Sequence, residues 1–331
     1  MVAAWLAGIV VIHAAAWTAY SQPAADLAAL QQKYPGQPFV GTAENLDVGF
    51  DLVGGAPIIH LEQYKEIAVL TDHSTAFSES REYFSNHYNV KKLEAYSLVP
   101  DQNQYRKVPV QSFTKSVDWD NMVYYDDQFT YTYAFPSVGK GCRLVTRYEA
   151  TCSYAWLPVV FNFGGTVPME KSVVSVSFPK EVDIRYHLFG TDTTQVHFTK
   201  TARGNRIKYT WEASFRNPFD HDAVSPSMRY YVPHVIVQIA GYTVNGKYTP
   251  VIGSLDDLYR YNYTHISGLS KIPATEVKLL ADSLNAGVTD DREKVRNIFR
   301  WVQKNIRYVA IEDGDNGLVP REAADVLKRR Y

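Results

Sequence analysis

Apolar and polar residues alternate with a period of two along most of the chain, from about residue 46 to about residue 250. In one such run every second residue from Ile207 to Ala213 is apolar and the residues between them are polar, which is the pattern of a half-buried strand. The alternation recurs, with turn-forming Gly, Pro and Asn between the runs, over residues 174–178, 182–188 and 235–239. Many short strands without intervening helices are typical of sandwiches. The pattern therefore predicts a mainly β fold, with an antiparallel β-sandwich over residues 46–250.

After Gly253 the period changes to that of amphipathic helices. Ser254 is a predicted N-cap, because acidic residues follow it in the first turn. A second helix is predicted after Pro273, a third after Thr289 and a last one from Pro320. The third helix has an apolar stripe at three- and four-residue spacing, formed by Val295, Ile298, Phe299, Val302 and Ile306. The sequence thus predicts a small α-helical segment over residues 251–331.

The first 22 residues have the pattern of a signal peptide. The run from Ala3 to Trp17 is apolar except for His13, and small residues before Gln22 suit signal-peptidase cleavage. The run is shorter than the roughly 20 residues that span a bilayer. No Lys or Arg precedes it, so a signal anchor and a buried helix remain alternatives. We expect a periplasmic or secreted protein, with anchoring at the inner membrane as the alternative.

The Ala-, Gln- and Pro-rich residues 23–45 are predicted to form a linker or N-terminal extension, including a loose first helix. The balance of charge limits the partners of the whole chain. The sequence has 34 basic and 35 acidic residues, a net charge of −1 and no long run of like charge. A nucleic-acid partner requires a clustered excess of Lys and Arg, so we expect none. A protein, peptide or glycan ligand stays open, as does the oligomeric state.

The two cysteines, Cys142 and Cys152, fall on the same face of one predicted strand. An extended strand would separate them by about 33 Å at 3.3 Å per residue, whereas a disulfide needs Cα atoms within about 7 Å. The sequence therefore predicts two buried free thiols, unless a turn lies between them.

Three further patterns contain residue types that occur in metal-binding or sugar-binding sites. Adjacent residues of Asp220-His221-Asp222 point apart, which favours a solvated loop over a metal site. The acidic loop from Asp313 to Gly317 lacks the ligand register of a calcium loop. The aromatic stripe of alternate residues from Phe129 to Phe135 is more typical of sandwich core than of a sugar-stacking platform. We therefore assign no catalytic, cofactor-binding or metal-binding residue and expect no cofactor.

Two C-terminal segments, residues 295–309 and 317–331, resemble the N-terminal part of a bacterial transglutaminase-like domain with a papain-like fold. The more specific motif is Pro320-Arg-Glu-Ala-Ala-Asp-Val-Leu-Lys-Arg-Arg-Tyr331. The resemblance implies that Gly-Asp-Cys would follow, with Cys as nucleophile and His and Asp much later. The sequence stops at Tyr331, so we expect this chain to have no enzymatic activity. Neither Cys142 nor Cys152 matches the nucleophile's position.

The sandwich segment carries a second, weaker resemblance. Residues 135–149 and 167–179 resemble the domain of unknown function 3857 family. That domain often precedes transglutaminase-like domains in exported proteins of Gram-negative bacteria.

These resemblances imply that the chain is the non-catalytic front portion of an exported transglutaminase-like cysteine enzyme. The complete enzyme would cleave or transfer amides through an acyl-enzyme, and the sandwich would position a substrate or partner. The first alternative is an exported module that binds peptide or glycan without chemistry of its own. The second is a structural envelope protein with a degenerate papain-like part.

Overall fold

The computed structural model describes residues 22–72, 79–117, 123–219, 224–270, 274–312 and 318–331. The predicted signal peptide, the Asp220–Asp222 cluster and the acidic loop 313–317 lie outside these residues, apart from Gln22. Within the described ranges, no helix combines the length and apolar character needed to cross a bilayer.

The described residues contain seventeen strands. They are β1 (Phe39–Val53), β2 (Ala56–Val69), β3 (Ser80–Ser85), β4 (Tyr88–Asp101), β5 (Gln104–Pro109), β6 (Thr114–Ser116), β7 (Val123–Asp126), β8 (Gln128–Tyr133), β9 (Arg143–Cys152), β10 (Val159–Asn162), β11 (Met169–Pro179), β12 (Val182–Phe189), β13 (His197–Arg203), β14 (Arg206–Phe215), β15 (His234–Val244), β16 (Lys247–Pro250) and β17 (Ala310–Glu312).

The strands form one large sheet and three smaller ones. The large sheet has eight strands in the order β13-β14-β11-β1-β2-β9-β4-β5. A second sheet has the order β10-β15-β12, with β16 also paired to β15. A small sheet of three strands has the order β3-β8-β6, and β17 pairs with β7 alone.

The second sheet covers part of the large sheet and closes the main core. The inward residues of β1, β2, β11 and β14 pack against those of β10, β12 and β15. Trp211, Phe50 and Phe163 are the largest side chains that are fully buried there. Burying each such side chain contributes roughly 1.5–3 kcal/mol. This arrangement confirms the predicted mainly β sandwich, including a strand where alternation indicated one at 207–213.

Two strand pairs in the described residues are parallel, and one of them lies in the predicted antiparallel sandwich, since the other joins β7 to β17 after it. β1 pairs with β11 in parallel, with residues 44–49 opposite residues 172–177, so the large sheet is mixed. β1 also begins at Phe39, ahead of the predicted start of the sandwich at residue 46. The preceding segment, predicted as a linker or extension, contains helix α1 (Pro23–Lys33). Leu30 of α1 and Tyr34 pack on the start of β1 and the end of β2.

The predicted helices follow the sandwich. They are α2 (Leu255–Ile266), α3 (Thr275–Leu284), α4 (Asp291–Asn305) and α5 (Ala323–Arg329). Ser254 caps α2 as predicted, because its side chain accepts a hydrogen bond from the Asp257 amide at 3.1 Å. The side chain of Asp290 caps α4 in the same way. The last helix starts at Ala323 and not at Pro320.

Both cysteines are free and buried, as predicted. Cys152 ends β9 and Cys142 immediately precedes it. They belong to different apolar clusters, because Cys152 lies in the main core and Cys142 in the cluster that includes Phe39 and Tyr133.

A buried ion pair ties the middle of the large sheet to α1. Arg143 Nη1 lies 2.5 Å from Glu66 Oε1, and the two residues are only 9% and 4% exposed. Thr42 and Tyr64 also donate hydrogen bonds to this carboxylate, at 2.6 and 2.7 Å. Burial alone would lower the pKa of Arg143, but the facing Glu66 and Tyr105 raise it overall. Arg143 reaches Asp26 of α1 at 3.4 Å, so the pair joins three elements.

We expect Glu66→Gln to lower the free energy of unfolding by about 3 kcal/mol, because it leaves a buried guanidinium without its main counter-charge. Glu62→Gln is the matched control, because its ion pair with Arg147 on the same two strands is exposed and should be worth under about 1 kcal/mol. Urea denaturation of both variants measures the difference. Equal effects would contradict a special role for the buried pair.

Candidate functional site

Side chains from three parts of the sandwich meet at one place beside α2, which we call the junction. His87 follows β3 and Asp127 precedes β8, while Tyr154 and Trp156 lie in the loop after β9. The Trp156 ring packs against Tyr261 of α2, with 5.6 Å between ring centroids. The junction therefore links the sandwich to the helical segment through aromatic contact.

The His87 imidazole is the most firmly held group of the junction. Its Nδ1 lies 3.2 Å from Asp127 Oδ2 and 3.1 Å from Ser85 Oγ, and the His and Asp side chains are only 9% and 11% exposed. The ring is flanked by Tyr154 and Trp156, at centroid distances of 4.4 and 5.6 Å. A buried carboxylate at Nδ1 fixes the ring orientation of a histidine.

Ser85, His87 and Asp127 have the residue types of a hydrolase triad but not its geometry. In a triad, the carboxylate and the nucleophile occupy opposite ring nitrogens of the histidine. Here both groups contact Nδ1, so His87 is not placed to take a proton from Ser85 while Asp127 holds it. The arrangement positions the ring without activating the serine.

The thiols are equally unsuited to nucleophilic attack. Burial raises the pKa of both Cys142 and Cys152, which favours the unreactive thiol form. Each thiol donates to a backbone carbonyl, from Cys142 to Ser137 at 3.4 Å and from Cys152 to Tyr154 at 3.9 Å. In the described part of the chain, no group of three or more His, Cys, Asp or Glu residues is placed to bind a metal ion.

The aromatic stripe from Phe129 to Phe135 is core, as the sequence indicated. Phe129, Tyr133 and Phe135 are less than 10% exposed. The Tyr133 hydroxyl lies 2.8 Å from Thr146 Oγ1 of the large sheet and 3.4 Å from Glu82 Oε1 of β3. The stripe therefore fastens the small sheet to the large one.

Glu82 is a carboxyl group enclosed between these two sheets. Burial raises its pKa above the ordinary value of 4.5, and the nearby Glu44 adds to this, while Lys65 and the Tyr133 hydroxyl oppose it. A raised pKa means that folding favours the protonated acid. The contribution of Glu82 to stability is therefore complete below the ordinary pKa and is lost as pH rises through the raised value.

The helical segment presents apolar residues that nothing described in the chain covers. None of the residues of α2, α3, α4 or α5 is buried. On the predicted stripe of α4, Val295 is 67% and Phe299 is 59% exposed. We call the exposed apolar residues of α4 the uncovered stripe. On α2, Nε2 of His265 is shielded from solvent and has no hydrogen-bond partner within the described residues.

The strands and helices define a class of protein, a β-sandwich domain followed by a helical segment that contacts the sandwich at the junction. Residues 61–219 match the family model of a domain of unknown function with a solved structure, DUF3857. This match confirms the resemblance inferred for the sandwich. No comparison indicates a transglutaminase-like domain after it, and a comparison with curated proteins found no match.

A solved structure shares the fold at low sequence identity. The crystal structure of a putative protease from Parabacteroides distasonis ATCC 8503 aligns over 89% of this chain, with a TM-score of 0.65 and 15% identity. The alignment covers 55% of that protein, so the chain spans about half its length. An M1 zinc metallopeptidase from Deinococcus radiodurans aligns over 61% of this chain and 43% of its own, with 11% identity and a TM-score of 0.32.

Sequence reasoning missed the junction. His87 and Asp127 are 40 positions apart and belong to different strands or loops, so they share no spacing. The uncovered stripe, in contrast, consists of the residues that its helical period singled out. A carboxylate and an imidazole from separate parts of the chain give no periodic pattern in the sequence, whereas the apolar face of a helix gives one.

We expect Trp156→Ala to loosen α2, because it removes the aromatic contact to Tyr261. Such a pair is worth roughly 0.5–1.5 kcal/mol, which corresponds to about two- to tenfold faster amide exchange across residues 255–266. Tyr154→Ala is the control, because Tyr154 contacts His87 and Trp156 but has no ring contact with α2 among the described residues. Faster exchange of α2 in both variants alike would contradict the assignment.

We expect Glu82→Gln to stabilise the protein increasingly as pH rises from about 4 to about 8, because the variant never has to bury an ionised carboxylate. Urea unfolding at a series of pH values measures the difference from wild type. Glu276→Gln, on the exposed surface of α3, should leave the pH profile unchanged. A gain that is constant with pH would show that Glu82 does not titrate as argued.

Proposed function

We propose that the chain is the non-catalytic front portion of an exported transglutaminase-like cysteine enzyme. The sandwich positions a substrate or partner, and the helical segment is the first part of the catalytic domain. In the complete protein a cysteine thiolate would attack an amide, and water or an amine would resolve the acyl-enzyme. The chain itself has no enzymatic activity in this proposal.

The observation that carries the proposal is the contrast between a filled sandwich and an uncovered helical segment. The core of the sandwich contains many residues below 2% exposure, while α2 to α5 bury none. Amphipathic helices in water are stabilised chiefly by packing of their apolar face. A further half-domain that packs on the uncovered stripe would supply that contact.

Two comparisons support the proposal without carrying it. The sandwich matches a family model over residues 61–219. The putative protease from Parabacteroides distasonis shares the fold, and the aligned part is 55% of that protein, so that protein extends well beyond the aligned part. The greater length of that protein agrees with a front portion joined to further chain.

The alternative is an exported binding module for peptide or glycan. The geometry of the thiols and of Ser85, which provides no activated nucleophile, favours it as the second candidate. The two proposals differ in what covers the uncovered stripe, since a binding module needs no catalytic half-domain there.

We expect Val295→Glu with Phe299→Glu to change the free energy of unfolding of this chain by less than about 0.5 kcal/mol, the range of surface substitutions. The same pair should abolish amidase or transferase activity in a protein extended by a transglutaminase-like half-domain. The control, Val174→Glu, places a charge at a fully buried position of β11 and should unfold the sandwich.

Loss of several kcal/mol from the Val295→Glu/Phe299→Glu variant would show that this chain itself covers the stripe. Turnover of a peptide or glutamine substrate by the purified chain, abolished by Cys142→Ser or Cys152→Ser, would overturn the assignment as a non-catalytic portion.

A further inference from the structure

β13 is the terminal strand of the large sheet. It pairs with β14 and with no other strand in the described residues. All seven of its residues are exposed. Alternate residues of a terminal strand direct their backbone N–H and C=O groups away from the sheet. β13 therefore offers an unpaired main-chain edge about 23 Å long, at 3.3 Å per residue.

The side chains of this edge are basic. His197, Lys200 and Arg203 lie on β13, which contains no acidic residue. None of the three forms an ion pair with any described residue, and the Lys200 ammonium lies 5.5 Å from the centre of the Tyr209 ring.

The acidic residues at the two ends of β13 are already engaged. Glu181 accepts a hydrogen bond from Asn205 at 2.8 Å, beside the turn that follows the strand. Asp192, before the strand, accepts hydrogen bonds from Thr194 and Gln195. Neither carboxylate is therefore used to neutralise the cations of the edge.

Aromatic rings cluster beside the edge formed by β13. Phe198 of β13 is 39% exposed, and its ring lies 5.2 Å from Trp211 and 5.3 Å from Tyr186. Tyr186 belongs to β12, which is the terminal strand of the second sheet. The two sheets thus leave a partly open apolar position at the side of the sandwich.

β5, at the opposite edge of the large sheet, is less suited than β13 to pair with a further strand. On β5, Lys107 forms an ion pair with Glu94 at 2.6 Å and Arg106 lies 3.8 Å from Asp101. β5 also ends in Pro109, which has no N–H to donate. Proline on an edge protects a sheet against pairing with a further strand. β13 contains no proline, and its cations are not neutralised by described residues.

We propose that β13 binds an extended acidic peptide segment, which adds to the large sheet as a further strand. The backbone of the peptide pairs with the outer edge of β13, its carboxylates lie against Lys200 and Arg203, and an apolar side chain contacts Phe198. Main-chain pairing supplies affinity in this mode of recognition, and the side chains supply selectivity. The inference rests on the proposed role of the sandwich in positioning a substrate or partner and names the ligand class, and its test needs no catalytic half-domain.

The test measures binding of an eight-residue peptide by fluorescence anisotropy. The peptide is labelled with fluorescein and capped at both ends, and it has two Glu residues three positions apart and a Val two positions from the nearer Glu. This spacing matches Arg203, Lys200 and Phe198, because residues of a strand alternate between its two faces. Wild type should bind it saturably. Lys200→Glu with Arg203→Glu should weaken binding by about tenfold or more, because attraction becomes repulsion. The matched variant of the other edge, Arg106→Glu with Lys107→Glu, should bind as wild type does.

Two further probes separate strand addition from simple charge attraction. The same peptide with alternate backbone nitrogens methylated keeps its charges but loses N–H donors, and should not bind. Phe198→Ala should weaken binding of the unmodified peptide several-fold. Melting curves verify that each variant is folded, and Lys200→Gln and Arg203→Gln replace the double variant if it is not.

Four results would overturn the proposal. The first is the absence of saturable binding up to about 1 mM peptide. The second and third are binding of the methylated peptide, or of the same peptide with Lys in place of Glu, as tight as that of the original peptide. The fourth is a loss of binding in the β5 variant equal to that in the β13 variant.

Discussion

The parallel pairing of β1 with β11 is the constraint on which the rest of the sandwich depends. β1 lies between β11 and β2 in the centre of the large sheet. Without the contact between β1 and β11, the sheet would separate into β13-β14-β11 and β1-β2-β9-β4-β5. The inward side chains of β1, Leu46, Val48 and Phe50, are shared by both parts of the core. The residues that match the family model, 61–219, do not include β1, so the unit that folds is larger than the segment that the match covers.

Local patterns predicted much of this fold, and long-range pairing could not be predicted from them. Alternation located β14, and a capping residue located the start of α2, because both signals lie within a few residues of the element. The parallel register of Asp47 with Ser175 joins positions 128 residues apart. No periodicity specifies such a partner, and the charge of Glu66 gives no indication that Arg143 faces it. The candidate site was missed for the same reason, since His87 and Asp127 meet only after the sheets have formed.

The sandwich and the helical segment differ in how completely their apolar residues are buried and their charges are paired. In the sandwich, apolar residues are buried and the central charges are paired. In the helical segment, Val295 and Phe299 remain largely in solvent, although the caps of α2 and α4 are formed. Local backbone requirements are thus met in both parts, while tertiary packing is complete in only one. The sandwich restrains the helical segment at the junction of Trp156 with Tyr261 and where β17 pairs with β7.

The position of β1 also determines the order in which the nascent chain can acquire structure. β1 and β2 form a hairpin as soon as both have been synthesised, because only a short turn separates them. The other edge of β1 must wait for β11, which ends at Pro179, and closing such a long loop is entropically costly. During that interval the hairpin has an open edge of unpaired backbone N–H and C=O groups in the middle of the future sheet. A chaperone that shields nascent strand edges would therefore act on this protein between the synthesis of β2 and that of β11.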